Sequence, residues 1–185
     1  MGANTSNAML FLLTTLFDLV LWAWLLRIIL QATRAEFYNP ISQAIWQITR
    51  YPTDWLRPVI PNVRNINIGA VIVAFAIALI YVHLIDGMLR LRYSEVTLVI
   101  SAVLKLLVLS LNLYTFTIFI QAIMSWLGPG VNNPASNILW SVNEPLLRPA
   151  RRIIPPLSGL DLSPLAVILL LQVLNRLLPL PGAFR

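Results

Sequence analysis

Long apolar stretches alternate along this chain with shorter polar ones. Four stand out, at about 8–31, 66–85, 96–127 and 162–178. A helix needs roughly 20 apolar residues to cross a bilayer, so each stretch is predicted as a membrane-spanning helix. The third is long, but neither Gly nor Pro interrupts 96–127, and it reads as one helix that tilts or projects beyond the bilayer. The fourth is short. Pro164 suits its first turn, where a missing N–H costs nothing, and Asp161 or Ser163 can cap it. The expected fold class is all-α integral membrane with four transmembrane helices.

The polar segments at 32–65 and 128–161 resemble each other at a constant separation of 94 positions. Asn39-Pro40 matches Asn133-Pro134, Ser42 matches Ser136, Trp46 matches Trp140, Arg57 matches Arg151, and Ile60-Pro61 matches Ile154-Pro155. That is seven identities over 23 aligned positions without a gap, a strong signal of internal duplication. The same separation pairs the first span with the third and the second with the fourth. The expected organisation is two tandem helix–loop–helix repeats, 1–90 and 91–185.

Within each loop, Asn-Pro favours a turn, and a short amphipathic helix follows. Ile41, Ala44, Ile45 and Ile48 share one face in the first copy, and Ala135, Ile138, Leu139 and Val142 repeat that stripe in the second. Such a helix lies in the membrane interface, with Trp46 and Trp140 at headgroup level, or packs against the protein's own spans. A Pro/Arg segment comes next, Tyr51 to Pro61 and Glu144 to Pro155. Proline removes backbone donors, so this segment is expected to be rigid and non-helical, holding its arginines for phosphate or carboxylate recognition or simply setting topology.

Composition agrees with a membrane location. The chain is 58% hydrophobic and 11% charged, against roughly 45–50% and about 25% in soluble domains. It has no cysteine and a single histidine, His83, so thiol chemistry, Fe–S clusters and a self-contained haem or zinc site are not expected. No nucleophile–base pair is evident and no enzyme activity or cofactor is expected. The net charge of +6 is dispersed, which suits anionic lipid rather than nucleic acid. Seven arginines (34, 50, 57, 64, 148, 151 and 152) lie in the repeat loops, and three (90, 92 and 185) lie on the opposite side. The positive-inside rule therefore puts the loops in the cytoplasm and both termini outside.

Polar residues within spans need partners or an exit to water. Arg27 and Arg176 sit near span ends, where snorkelling is expected. Asp18 lies mid-span, and Lys105 is the other deep charge. The repeat pairs Asp18 with Asn112, which puts Lys105 roughly 10 Å away along the axis. Their direct pairing requires a shift of the helices or the reach of the long side chains. Gln31, Asn112, Gln121, Gln172 and Asn175 either line a solute path or form interhelical hydrogen bonds.

The duplicated Asn-Pro, amphipathic helix and Pro/Arg turn ending in Ile-Pro resemble the YggT (YlmG-like) family of bacterial and chloroplast membrane proteins. The best-matched stretch is Glu144 to Pro155, followed by Gly159-Leu160-Asp161-Leu162-Ser163-Pro164; Leu26-Arg27, Gln31 and Phe37-Tyr38-Asn39-Pro40 add to it. Trp55 and Pro58 depart from the pattern, where the family tends to have Pro and a second Arg. The resemblance implies a bacterial inner-membrane protein of non-enzymatic role. Family roles include osmotic stress tolerance and, in chloroplasts, cytochrome maturation and organelle division. The expected function is an assembly or scaffold factor, or an osmotic stress-tolerance factor, whose loops contact lipid headgroups or a partner membrane protein. The alternative is a small solute or ion transporter or channel subunit in osmotic adjustment. The residues expected to make loop contacts are Asn39, Pro40, Trp46, Arg57, Pro61, Asn133, Pro134, Trp140, Arg148, Pro149, Arg151, Arg152, Pro155 and Asp161.

Overall fold

The computed structural model describes residues 2–35, 38–56, 58, 60, 62, 65–127, 133–154 and 161–185. Arg57, Pro61 and Pro155 lie outside the described residues, as do Arg64 and the Gly159-Leu160 pair. The α-helices among the described residues are α1 (Gly2–Ala32), α2 (Pro40–Leu56), α3 (Ile68–Leu89), α4 (Glu95–Leu127), α5 (Pro134–Ile153) and α6 (Ser163–Leu177), with a 3-10 turn at Gly182–Phe184.

Three stretches are long and apolar enough to cross a membrane: Asn7–Ala32, Ile68–Leu89 and Glu95–Ser125. The 33 residues of α4 form one uninterrupted helix. Helix α6 has 15 residues, which at about 1.5 Å each reaches only part of the roughly 30 Å hydrocarbon depth.

Packing starts from small residues. Ala70, Ala74 and Ala78 recur every fourth position on α3 and are each at most 1% exposed. Small side chains at that spacing let helix backbones approach closely. Trp24 of α1 packs against Ala70 and Ala74. Leu21 and Leu25 of α1 then meet Ala78, Val82 and Ile85 of α3 and Leu109 and Leu113 of α4 in the main core. Helix α4 also packs along α6, and Ile118, Leu147, Val167 and Leu171 form a second cluster where α5 joins them.

The two shorter inner helices, α2 and α5, begin at Pro40 and Pro134, and both start from an asparagine. Asn133 builds a reciprocal cap: its Oδ1 accepts from Ser136 N at 2.8 Å, while its own N–H donates to Ser136 Oγ at 3.2 Å. Asn39 Oδ1 accepts from Ile41 N, and its Nδ2 donates to the Pro134 carbonyl at 2.6 Å. One Asn-Pro element therefore rests on the other.

The Pro/Arg segment corrects an expectation. Residues 144–153 continue α5 rather than forming rigid non-helical chain, and α2 continues through Pro52. The reason is positional. Pro52, Pro145 and Pro149 all face outward, so the carbonyls they leave unpaired (of Ile48, Ser141 and Pro145) can be satisfied from outside. On the opposite face Leu147 is fully buried, and apolar burial offsets part of the lost hydrogen bonding.

The two apolar stripes also behave differently. Val142 is 0% exposed and packs with Ile138 into the main core, whereas Ile48, at the matching position, is 69% exposed. Ile41, Ala44, Tyr51 and Trp55 are exposed along with Ile48, giving α2 an outward apolar ridge. The face of α2 turned inward carries Thr49 and Thr53 instead.

Candidate functional site

Buried polar contacts concentrate where α2 and α5 meet the long helices. Arg27 is 4% exposed, and its Nη1 donates to Thr49 Oγ1 at 2.9 Å. It does not snorkel to the surface as expected, because α2 lies across this end of α1 and supplies an acceptor. In the second half, Asn143 Nδ2 donates to Gln121 Oε1 at 2.8 Å, and Thr117 Oγ1 donates to Asn143 Oδ1 at 2.7 Å. Gln121 and Asn143 stand 94 positions after Arg27 and Thr49. The same contact is made twice, once with a cation and once with a neutral amide.

The first turns of α3 and α6 correspond as well. Asn67 Oδ1 accepts from Ala70 N at 3.0 Å, and Asn67 N donates to Gln31 Oε1. Ninety-four positions later, Asp161 Oδ1 accepts from Ser163 N at 2.9 Å. Its Oδ2 accepts from Arg151 Nε at 2.8 Å, and Arg151 Nη1 also contacts Glu144 at 2.9 Å and lies over the Trp140 ring. Partial burial pushes the Asp161 carboxyl up, but the hydrogen bonds from Arg151 and Ser163 outweigh it and hold the group below the usual carboxylate range. Arg151 is thus engaged inside the protein, whereas Arg148 and Arg152 are exposed. Trp140 is half-exposed, and Trp46 lies under Arg50, whose guanidinium carbon is 5.5 Å from the ring centre.

A second assembly lies between α1, α3 and α4. Lys105 Nζ is 2.7 Å from Asp18 Oδ1, with the ammonium 4.6 Å from the centre of the Tyr81 ring. That oxygen has no aligned hydrogen-bond donor, so the contact is an ion pair by proximity. Trp22 and Phe116, 94 positions apart, stack at 5.8 Å, so the spans lie side by side and the long lysine covers the remaining distance. Lys105 is 1% exposed and Asp18 28%. Farther along, Asn175 Nδ2 donates to Asn112 Oδ1 at 2.6 Å, tying α6 to α4, while Arg176 is exposed.

Two cavities flank the inner helices. One, of about 430 Å³, lies beside Gln121, Ser125, Arg151, Asp161 and Pro164. The other, of about 380 Å³, is lined by Arg27, Gln31, Arg34, Ser42, Trp46 and Asn67 among others. Thr49, Asn143, Glu144, Tyr81 and Asn67 were not among the residues expected from sequence. For Thr49 and Asn143 a signal existed, since the 94-position separation aligns them as a polar pair just as it aligns Arg27 with Gln121.

Three membrane-length apolar helices and two inner helices carrying arginine define a helical protein of membrane type. More narrowly, the chain belongs to the CCB3/YggT family, whose profile matches residues 6–88 and 100–181. A Vibrio alginolyticus protein described as uncharacterized, from the proC 3′ region, is 38% identical over 175 residues, covering 93% of this chain and 94% of its own. The Escherichia coli K12 protein named uncharacterized protein YggT is 34% identical over 170 residues, covering 91% of this chain and 88% of its own. No solved structure matches the chain.

Proposed function

We propose that the chain is a non-enzymatic inner-membrane protein of four spans in two tandem repeats, acting as an assembly or scaffold factor or as an osmotic stress-tolerance factor. Its inner helices face the cytoplasm and contact anionic lipid headgroups or a partner membrane protein. The observation carrying this reading is the outward ridge of α2. Ile41, Ile48, Tyr51 and Trp55 are exposed, while Arg50 stacks beside them on Trp46 and Tyr51. Aromatic residues and arginine at the edge of an apolar face suit a membrane interface.

The duplication reading is supported by the matched contacts of the two halves and by the start of the two matched family stretches, 6 and 100. The fourth span would be α6, whose outward residues Leu165, Leu169, Leu170, Val173 and Leu177 are all exposed. Its shortness is accommodated by local thinning of the bilayer. Replacing Arg148 and Arg152 by Gln is expected to reduce the anionic lipid or partner protein that co-purifies from native membranes. Unchanged recovery would count against a contact surface on α5.

One observation favours a second reading, a small solute or ion transporter. The Asp18–Lys105 pair sits among the spans with the Tyr81 ring against the ammonium. Intramembrane charges often mark ion pathways. Flux in proteoliposomes that Asp18→Ala abolishes would support transport; a tight bilayer with the wild type would dismiss it.

A further inference from the structure

We infer that the cavity between α1, α2 and the start of α3 binds a phosphate group through Arg27 and Arg34. This deepens the headgroup-contact reading by assigning it a built site, and the site lies in the half whose loop departs from the family pattern.

The cavity holds about 380 Å³, ample for a phosphate and part of an attached group. Arg27 lines it and is 4% exposed. Its Nη1 is taken by Thr49, but its Nε is enclosed and has no hydrogen-bond partner, and no carboxylate pairs with it within 4 Å among the described residues. Among the described residues the acidic group whose charge reaches Arg27 is Asp54, which is exposed and does not line the cavity. Arg27 is held by Thr49 and lies 5.9 Å over the Trp24 ring, but a buried guanidinium without a counter-charge is costly, and an anion is what would satisfy it.

The other lining groups fit that anion. Ser42 Oγ is also enclosed without a partner. Arg34 stands at the mouth, held at φ 54° as the residue that ends α1. Ala35 N closes that turn on the Leu30 carbonyl at 3.0 Å. Glycine is the residue normally found at such a turn; in this chain Arg90 and Arg92 take a positive φ as Arg34 does. Asn62, Asn65 and Asn67 supply amide donors, and Asn67 caps α3, so the positive end of that helix faces the same space. Leu30, Ile45 and Trp46 form an apolar side, suited to the glycerol or acyl part of an amphiphile.

The second half shows what the same place looks like when it is neutralised. Gln121 replaces Arg27, and Asp161 replaces Asn67 and neutralises Arg151. The cavity there has its carboxylate built in; among the described residues, the first-half cavity is lined by two arginines and no carboxylate.

The phosphate could come from a lipid headgroup or be free, and the test separates the two. The full chain in detergent is titrated with phosphatidylglycerol, with diacylglycerol of the same chains, and with inorganic phosphate alone, reading bound lipid by native mass spectrometry and melting temperature by fluorescence. Arg27→Gln and Arg34→Gln are compared with wild type, with Arg152→Gln for the α5 surface, and with Arg176→Gln, an exposed arginine outside both surfaces. Glutamine is the second half's own residue at the Arg27 position, and Arg34 is exposed, so both variants should fold. Phosphatidylglycerol retained over diacylglycerol, with roughly tenfold or greater weakening in both cavity variants and none in Arg176→Gln, supports a headgroup site. Stabilisation by inorganic phosphate that Arg27→Gln abolishes supports a free-phosphate site. Equal binding by wild type and both cavity variants, or no preference for phosphate over diacylglycerol and no response to inorganic phosphate, overturns the inference. Weakening by Arg152→Gln alone would overturn it too, and would leave the α5 surface reading standing.

Discussion

Asn143 donates to Gln121 at 2.8 Å across the α4–α5 interface, and the same two positions in the first half hold Thr49 and Arg27 in the same contact. Asn143 is 0% exposed and also accepts from Thr117. Replacing it by alanine strands the buried Gln121 amide, while Thr117 Oγ1 can still donate to the Tyr114 carbonyl at 3.1 Å. The expected loss is about 1–3 kcal/mol, read from unfolding of the purified protein in mixed micelles. The double variant Gln121→Leu, Asn143→Leu should recover part of that loss, because it removes both amides and leaves Thr117 the Tyr114 carbonyl. No recovery would show that the amides matter beyond satisfying each other.

The Asp18–Lys105 pair is unevenly buried, and its variants should differ. Asp18→Asn leaves an ammonium that is 1% exposed, whereas Lys105→Met leaves a carboxylate that is 28% exposed and only partly enclosed by protein. Breaking a buried pair costs about 3–5 kcal/mol, and the larger cost is expected for Asp18→Asn. Thermal unfolding in detergent ranks the two; the reverse order would mean that Asp18 is the more costly group to strand.

Acid should loosen the α5–α6 clamp. Asp161 is held below the usual carboxylate range, so it stabilises the fold above that range, and this contribution is lost as pH falls through the depressed folded value. The window lies below about pH 4. The chain has no cysteine, so spin labels at Arg148→Cys and Leu165→Cys report the spacing directly. A constant distance from pH 8 to 5 and a widening below about 4 are expected, with Asp161→Asn wide throughout. A distance that stays fixed in acid would show that other contacts hold the helices.

Matching positions on the two inner helices should respond oppositely to one substitution. Val142→Gln places an amide where exposure is 0% and should cost several kcal/mol, on the order of a lost side chain plus an unsatisfied polar group. Ile48→Gln, at a site 69% exposed, should leave the melting temperature within a degree or two of wild type. Similar losses at both would show that the α2 ridge is covered in the purified protein.

Orientation can be read independently of stability. The arginine distribution places both termini outside, so a C-terminal reporter active only in the periplasm should be active, and one active only in the cytoplasm silent. The opposite pattern inverts the assignment and removes the cytoplasmic reading of α2 and α5.

Much of this architecture follows from the sequence alone, because its causes are local. Apolar runs long enough to exclude water must become helices, which satisfy their own backbone groups, and the uninterrupted 96–127 run is α4 almost to the residue. The starts of α2 and α5 are legible too, since Asn-Pro sets a cap and an N-terminal proline within two residues. The continuation of α5 through Pro145 and Pro149 was not legible: it depends on those rings facing outward while Leu147 is buried, a matter of neighbours rather than propensity.

The same limit applies to the polar groups. The sequence determined which charges lie in apolar runs and which positions repeat. It did not determine that Arg27 turns inward to Thr49, that Arg151 is neutralised by Glu144 and Asp161, or that Ile48 faces out where Val142 is buried. Two related loops met different surroundings: α5 packs on α1, and its stripe is buried, while the ridge of α2 has no such cover among the described residues. Pattern fixes helices because their hydrogen bonds are internal, but only tertiary packing decides which charge is paired, and so which arginines remain free for a ligand.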